Sequence, residues 1–173
     1  SDLCNGGNDG TINLTVKGGT TPYTYSWSNG STSQNLTGLS VGVYSVTITD
    51  NKGCSKTTSV TITQPNILTS LISSTNPNCF GGSGNITLTV SGGISPYTYS
   101  WSNGLTTQNI SVMSSGTYSV TITDSKNCTT NNSTTITIPT QLTSSVSSTN
   151  VSCNGGSNGT ITLTPNGGTP PYT

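Results

Sequence analysis

Pro22-Tyr23-Thr24-Tyr25-Ser26-Trp27-Ser28-Asn29-Gly30 is the stretch whose reading decides the fold. It returns letter for letter from Pro96 to Gly104, and begins a third time at Pro171-Tyr172-Thr173. The offset is 74 residues from Trp27 to Trp101 and 75 from Tyr97 to Tyr172. Tyr23, Tyr25 and Trp27 alternate with Thr24 and Ser26, the period of two that gives a strand one aromatic face. Ser28-Asn29-Gly30 then supplies a turn, since Asn and Gly reach the positive φ that tight turns require. A motif returning at a domain-sized interval makes the chain an array of copies.

Working outward, every copy repeats one order of strands. Ile12, Leu14 and Val16 alternate with polar residues ahead of the Gly18-Gly19 break. After the aromatic strand comes a short weaker one at Ser33–Leu36, then Tyr44, Val46 and Ile48 in alternation. A turn follows at Asp50-Asn51-Lys52-Gly53, and the copy ends on a strand with Val60 and Ile62. The second copy opens with an additional strand, Ile67 to Ser73, and closes at Pro139, 74 residues after Pro65. The copies therefore divide at 1–65 (lacking its opening strand), 66–139 (complete) and 140–173 (the start of a third). A chain that starts without Met and stops inside a copy reads as an excerpt of a longer array.

About seven short strands per copy, with turns every eight to twelve residues or so, is the pattern of an antiparallel β-sandwich. A solenoid would repeat every 20–50 residues or so, and no shorter period is present. The fold class is all-β: tandem immunoglobulin-like sandwiches of about 74 residues, joined by short connections that limit rotation.

Composition narrows the function. Only 28% of residues are hydrophobic and 5% charged, with net charge zero and no His, Glu or Arg. Disorder normally combines low hydrophobicity with high net charge, and here alternating Thr, Val and Ile argue for ordered strands with thin cores. Four lysines make no basic surface for nucleic acid. Four scattered aspartates leave no carboxylate pair or triad, so no enzyme is expected. No run approaches the roughly 18 apolar residues of a membrane span.

Cys4 and Cys54 lie 50 residues apart in the first copy, and Cys79 and Cys128 lie 49 apart in the second. Cys153 matches Cys4 and Cys79, which leaves it without a partner in its own copy. Spacings that differ only by the one-residue deletion near Gly84 make Cys4–Cys54 and Cys79–Cys128 the economical disulfide framework, implying an oxidising, extracytoplasmic location. With no Cys-x-x-Cys and no His, a zinc site is not expected. No cofactor is expected either.

The strings Cys-Asn-Gly-Gly-Asn-Asp-Gly-Thr-Ile (4–12), Gly-Gly-Thr-Thr-Pro-Tyr-Thr-Tyr-Ser-Trp-Ser-Asn-Gly (18–30), Asn-Leu-Thr-Gly-Leu (35–39), Gly-Val-Tyr-Ser-Val-Thr-Ile-Thr-Asp (42–50) and Gly-Cys (53–54) closely resemble the SprB-type repeat. That repeat occurs in large surface adhesins of gliding bacteria and in related secreted proteins. The resemblance spans essentially the whole chain. It implies export and a place in long surface filaments that grip a substratum. The Trp-x-Asn-Gly and Gly-x-Tyr-x-Val segments also look like the more distant PKD-type sandwich. Phe80 departs from the pattern where the other copies have Asn, and Asn127 stands where the first copy has Gly53. Asn reaches the left-handed region at modest cost, so this second departure is compatible with the fold.

Candidate sites follow. Tyr23, Tyr25, Trp27, Tyr97, Tyr99 and Trp101 read as core aromatics, the tryptophans packed over a disulfide; the rival reading is a platform that stacks on sugar rings. Asp50 and Asp124 read as turn-capping residues rather than calcium ligands, because one carboxylate per copy falls far short of the roughly six to eight oxygens calcium takes. Thr-x-Thr pairs such as 47/49 and 121/123 read as the solvent face of a sheet. Expected partners are neighbouring copies of the same chain, with surface polysaccharide or lateral copies in a fibre as further candidates. The function expected is a structural shaft of a secreted or cell-surface adhesin, linked to gliding or surface attachment, with a carbohydrate-binding module as the alternative.

Overall fold

The structure, a computed structural model, describes residues 3–173. Its elements are β1 (Gly10–Ile12), β2 (Thr24–Trp27), β3 (Leu36–Leu39), β4 (Gly42–Thr49), β5 (Ser55–Ile62), β6 (Thr69–Thr75), β7 (Gly84–Ser91), β8 (Thr98–Trp101), β9 (Ile110–Val112), β10 (Gly116–Thr123), β11 (Thr129–Ile136), β12 (Thr143–Thr149) and β13 (Thr160–Asn166). All are strands. The chain forms two compact units, Ser1–Ser70 with Val90–Thr98 and Ile122–Thr130, and Leu71–Thr89 with Tyr99–Thr121 and Asn131–Thr173.

In the first unit, β2, β4 and β5 form one sheet and β1 and β3 another. β4 runs antiparallel to β5 along its whole length, from Gly42↔Ile62 to Thr49↔Ser55, and antiparallel to β2 with Trp27 opposite Val46. Alternation sends Trp27, Val46 and Ile62 to one side, where they meet Ile12, Leu36 and Leu39 of the other sheet in a single core. Two faces closing on one apolar layer make an antiparallel sandwich. β1 meets β3 irregularly, Gly10 opposite Leu39 and Ile12 opposite Leu36, so β3 carries one extra residue.

The complete second copy has six strands, not seven, in sheets ordered β6-β7-β9 and β8-β10-β11. The weak strand expected at Ser33–Leu36 also moves, to Leu36–Leu39, and its equivalent to Ile110–Val112. Side chains explain the displacement. Asn35 Oδ1 accepts the Leu14 N–H (3.0 Å) while Gln34 Nε2 donates to the Leu14 carbonyl (2.7 Å). Asn109 and Gln108 do the same to Leu88, at 2.9 and 2.7 Å. The Gln-Asn pair thus satisfies both backbone groups of Leu14 or Leu88 with side chains, and the backbone ladder begins only at the residue after it.

In the second unit, the inward residues Ile86, Leu88, Val120 and Ile136 are each 2% exposed or less. β12 and β13 of the third copy pair antiparallel from Thr143↔Asn166 to Thr149↔Thr160. Ile161 and Leu163, the counterparts of Ile86 and Leu88, are 79% and 63% exposed. A two-stranded hairpin has no second sheet to cover its apolar face.

Candidate functional site

The turn after β4 is built on a carboxylate. Asp50 Oδ1 accepts the N–H groups of Lys52 and Cys54 at 2.9 Å, and Oδ2 accepts that of Thr20 at 3.0 Å. The turn after β10 repeats this: Asp124 Oδ1 accepts from Lys126 (2.8 Å) and Cys128 (2.9 Å), and Oδ2 from Ile94 (2.9 Å). In both, the residue before the cysteine is left-handed, Gly53 at φ 85° and Asn127 at φ 67°. Asn does adopt the conformation that Gly supplies in the first copy. These carboxylates are filled by backbone donors and act as caps. Among the described residues no three His, Cys, Asp or Glu stand together as metal ligands.

The environments of the two aspartates differ because the opening strand β6 precedes the second copy's sheets, while the first copy shows no such strand among the described residues. Leu68, just before β6, is buried. A methyl group on Gly93 would meet both Leu68 Cδ1 (3.0 Å) and Asp124 Oδ2 (2.9 Å), and one on Gly92 would overlap the Ile67 carbonyl oxygen. Both glycines have positive φ, 73° and 59°. Close approach by the incoming backbone therefore demands Gly-Gly here. Asp124 is consequently buried, whereas Asp50 stays half-exposed.

Both carboxyls lie below the ordinary carboxylate range. For Asp50 the main cause is the hydrogen bond from Thr20, followed by that from Cys54. For Asp124 burial acts most strongly and pushes upward, but the N–H groups of Ile94, Cys128 and Lys126 together outweigh it. A depressed folded-state pKa contributes stability that is present above the unfolded value, near 3.9 or so, and is lost as pH falls through the folded value. Thermal melts should accordingly hold level from about pH 7 to 5 and fall steadily below about 4. Asp124→Asn should flatten that acid limb while lowering stability at neutral pH. An unchanged acid limb in this variant would show that the turn aspartate is not its source.

The aromatic strand turns inward. Trp27 and Trp101 are 4% and 3% exposed, and their indole N–H groups donate to the carbonyls of Ser33 (2.7 Å) and Thr107 (2.8 Å). Tyr23, Tyr25, Tyr97 and Tyr99 are half-buried. The hydroxyls of Tyr23, Tyr97 and Tyr172 each donate to a glycine carbonyl five residues upstream, Gly18, Gly92 and Gly167, at 2.6 Å. Thr47 and Thr57 pair hydroxyl to hydroxyl across β4 and β5 at 2.9 Å.

The cysteines correct the expected pairing. Cys4 is bonded to Cys128, with Cα atoms 5.7 Å apart, while Cys54, Cys79 and Cys153 are exposed thiols. Neither Cys4–Cys54 nor Cys79–Cys128 forms. The reason is which end of the sandwich each cysteine occupies. Asn5, beside Cys4, donates from Nδ2 to the Pro65 carbonyl (3.0 Å), and the Gly6 N–H donates to Gln64 Oε1 (2.8 Å). Both contacts lie past the C-terminal end of β5, whereas Cys54 immediately precedes its first residue. Eight residues of strand span about 27 Å, and a disulfide tolerates a Cα separation of at most about 7 Å. The tryptophans therefore pack without a disulfide from their own copy beneath them.

Three segments, residues 1–32, 71–106 and 145–173, match the model of the SprB repeat, and together they make up more than half of the chain. The chain belongs to the SprB-repeat family. Each matched segment runs from the region of a loop cysteine through the Gly-Gly turn. Among solved structures the chain is similar to the amphioxus IgVJ-C2 molecule, at 16% identity over 76% of this chain and 97% of that one, with a TM-score of 0.38. Comparison with curated protein sequences finds no match. SprB repeats here are antiparallel β-sandwich modules set in tandem. No helix among the described residues is long and apolar enough to cross a membrane.

Proposed function

We propose that this array of SprB repeats is part of the shaft of a bacterial surface adhesin or extracellular filament, exported from the cell and serving gliding or surface attachment. The observation that carries the reading is the Cys4–Cys128 bond, which ties the first copy to the second rather than closing either one. A covalent tie between neighbours suits a part whose work is to transmit load. An oxidising setting outside the cytoplasm suits it as well. Neutral, hydroxyl-rich sheet faces keep such a shaft hydrated without attracting charged partners.

On this reading the tyrosines are structural, and the engaged hydroxyls of Tyr23 and Tyr97 support that. The oxidised chain, passed over immobilised polysaccharides and abiotic surfaces, should elute without retention. Saturable retention that Tyr23→Ala with Tyr97→Ala abolishes, in a chain still folded by circular dichroism, would replace the shaft with a carbohydrate-binding module.

A further inference from the structure

Two kinds of cysteine position recur along the chain. One is the loop before the β1- or β7-type strand, holding Cys4, Cys79 and Cys153; the other is the aspartate turn, holding Cys54 and Cys128. The bond that forms runs from a loop cysteine to the turn cysteine of the following copy. Cys79 is exposed and unbonded in the loop that corresponds to that of Cys4.

A second observation shows what Cys79 faces. It lines a cleft of about 460 Å³ with Phe80, Pro139, Thr140, Leu142 and Gly168. Gly168 donates its N–H to the Thr140 carbonyl (2.9 Å), as Gly93 does to Asn66 (2.9 Å). In the second copy the space beside Gly93 is taken by Asp124, whose Oδ1 holds the Cys128 N–H. The space beside Gly168 is thus where the aspartate turn of the third copy belongs, and Cys79 borders it.

We propose that the disulfides of this array are offset by one copy throughout: every loop cysteine bonds the turn cysteine of the copy after it. Cys79 is then the site for the turn cysteine of the third copy, and Cys54 the site for the loop cysteine of a copy ahead of the first. The assignment stands independently of the shaft reading. In each bond two thiols lose two protons and two electrons as sulfur joins sulfur. A disulfide oxidant such as oxidised glutathione takes the electrons and is reduced to two thiols.

The test extends the chain past Thr173 with the sequence of residues 99–139, which completes the third copy and adds a turn cysteine. After oxidation with glutathione, the offset pattern leaves two thiols of six, with Cys79 joined to the added cysteine in non-reducing peptide mapping. Pairing within copies would leave no thiols and join Cys153 to the added cysteine, which overturns the proposal. The unextended chain gives an independent arm. In Cys4→Ser treated with oxidised glutathione, Cys128 should appear only as its mixed disulfide with glutathione. A Cys79–Cys128 bond in that variant overturns the proposal too.

Discussion

Pulled between its ends in a single-molecule force experiment, the oxidised chain should reach a contour length of roughly 170 Å, and the reduced chain roughly 590 Å, at about 3.4 Å per residue. Cys4 and Cys128 are 124 residues apart, so while their bond holds only 50 of the 173 residues, 1–4 and 128–173, lie in the path of the force. Everything between them is bypassed, which covers the first copy from Cys4 onward and the second through its aspartate turn. Disulfides closed within copies would predict a different value, roughly 250 Å, because less chain would be short-circuited. A contour length that reductant leaves unchanged would sink the load-bearing reading. The same bond should also raise equilibrium stability, by about 5 kcal/mol in the chain-entropy model for a loop of this length. That is comparable with the whole stability of a small domain.

The sandwich was legible because its signal is local. Alternation around Trp27, Val46 and Ile62 says which side of each strand is apolar, and the structure buries that side. Copy length excluded a solenoid for the same reason. The disulfide was not legible, and the cause is the repetition itself. In an array with a 74-residue period, a loop cysteine is as regularly spaced from the turn cysteine of the next copy as from that of its own. Spacing therefore cannot choose between Cys54 and Cys128 as partner for Cys4. What chooses is the position of Asn5 and Gly6 at the Ile62 end of β5, a contact made through Pro65 and Gln64.

The displacement of the weak strand has a similar origin. A Gln-Asn dipeptide ahead of Leu36 or Ile110 reads as weak strand by propensity, since Asn and Gln carry no strand preference of their own. Its side chains, however, reach Leu14 and Leu88 and replace the backbone ladder. The pairing signal was present in the sequence twice at the same offset, and its repetition would have marked Gln34-Asn35 and Gln108-Asn109 as a paired device.

Replacing Trp101 with Ala should cost about 4 kcal/mol, near the upper part of the range for large aromatic-to-alanine changes in cores. The second copy is where such a cavity would be hardest to close. Ile86, Leu88, Val120 and Ile136 are 2% exposed or less, so the surroundings are already packed and can collapse little. In the first copy, Leu14, Tyr25, Tyr44 and Ile48 around the core are only half-buried and have room to relax, so Trp27→Ala should cost less, about 3 kcal/mol. The lost indole N–H bond adds little in either case, because Thr107 and Ser33 are exposed and their carbonyls can turn to water. Native-state hydrogen exchange separates the copies. Trp101→Ala should speed exchange along β10 by about a thousandfold, since about 1.4 kcal/mol is a factor of ten, and should change β4 far less. Trp101→Phe, which keeps an aromatic ring in the site, should recover most of the protection. A loss below about 1 kcal/mol from Trp101→Ala would mean that the ring is not a packing element. The aromatic strand would then have to be read as a surface built for a ligand, and the shaft proposal would lose its claim on the most regular feature of the sequence.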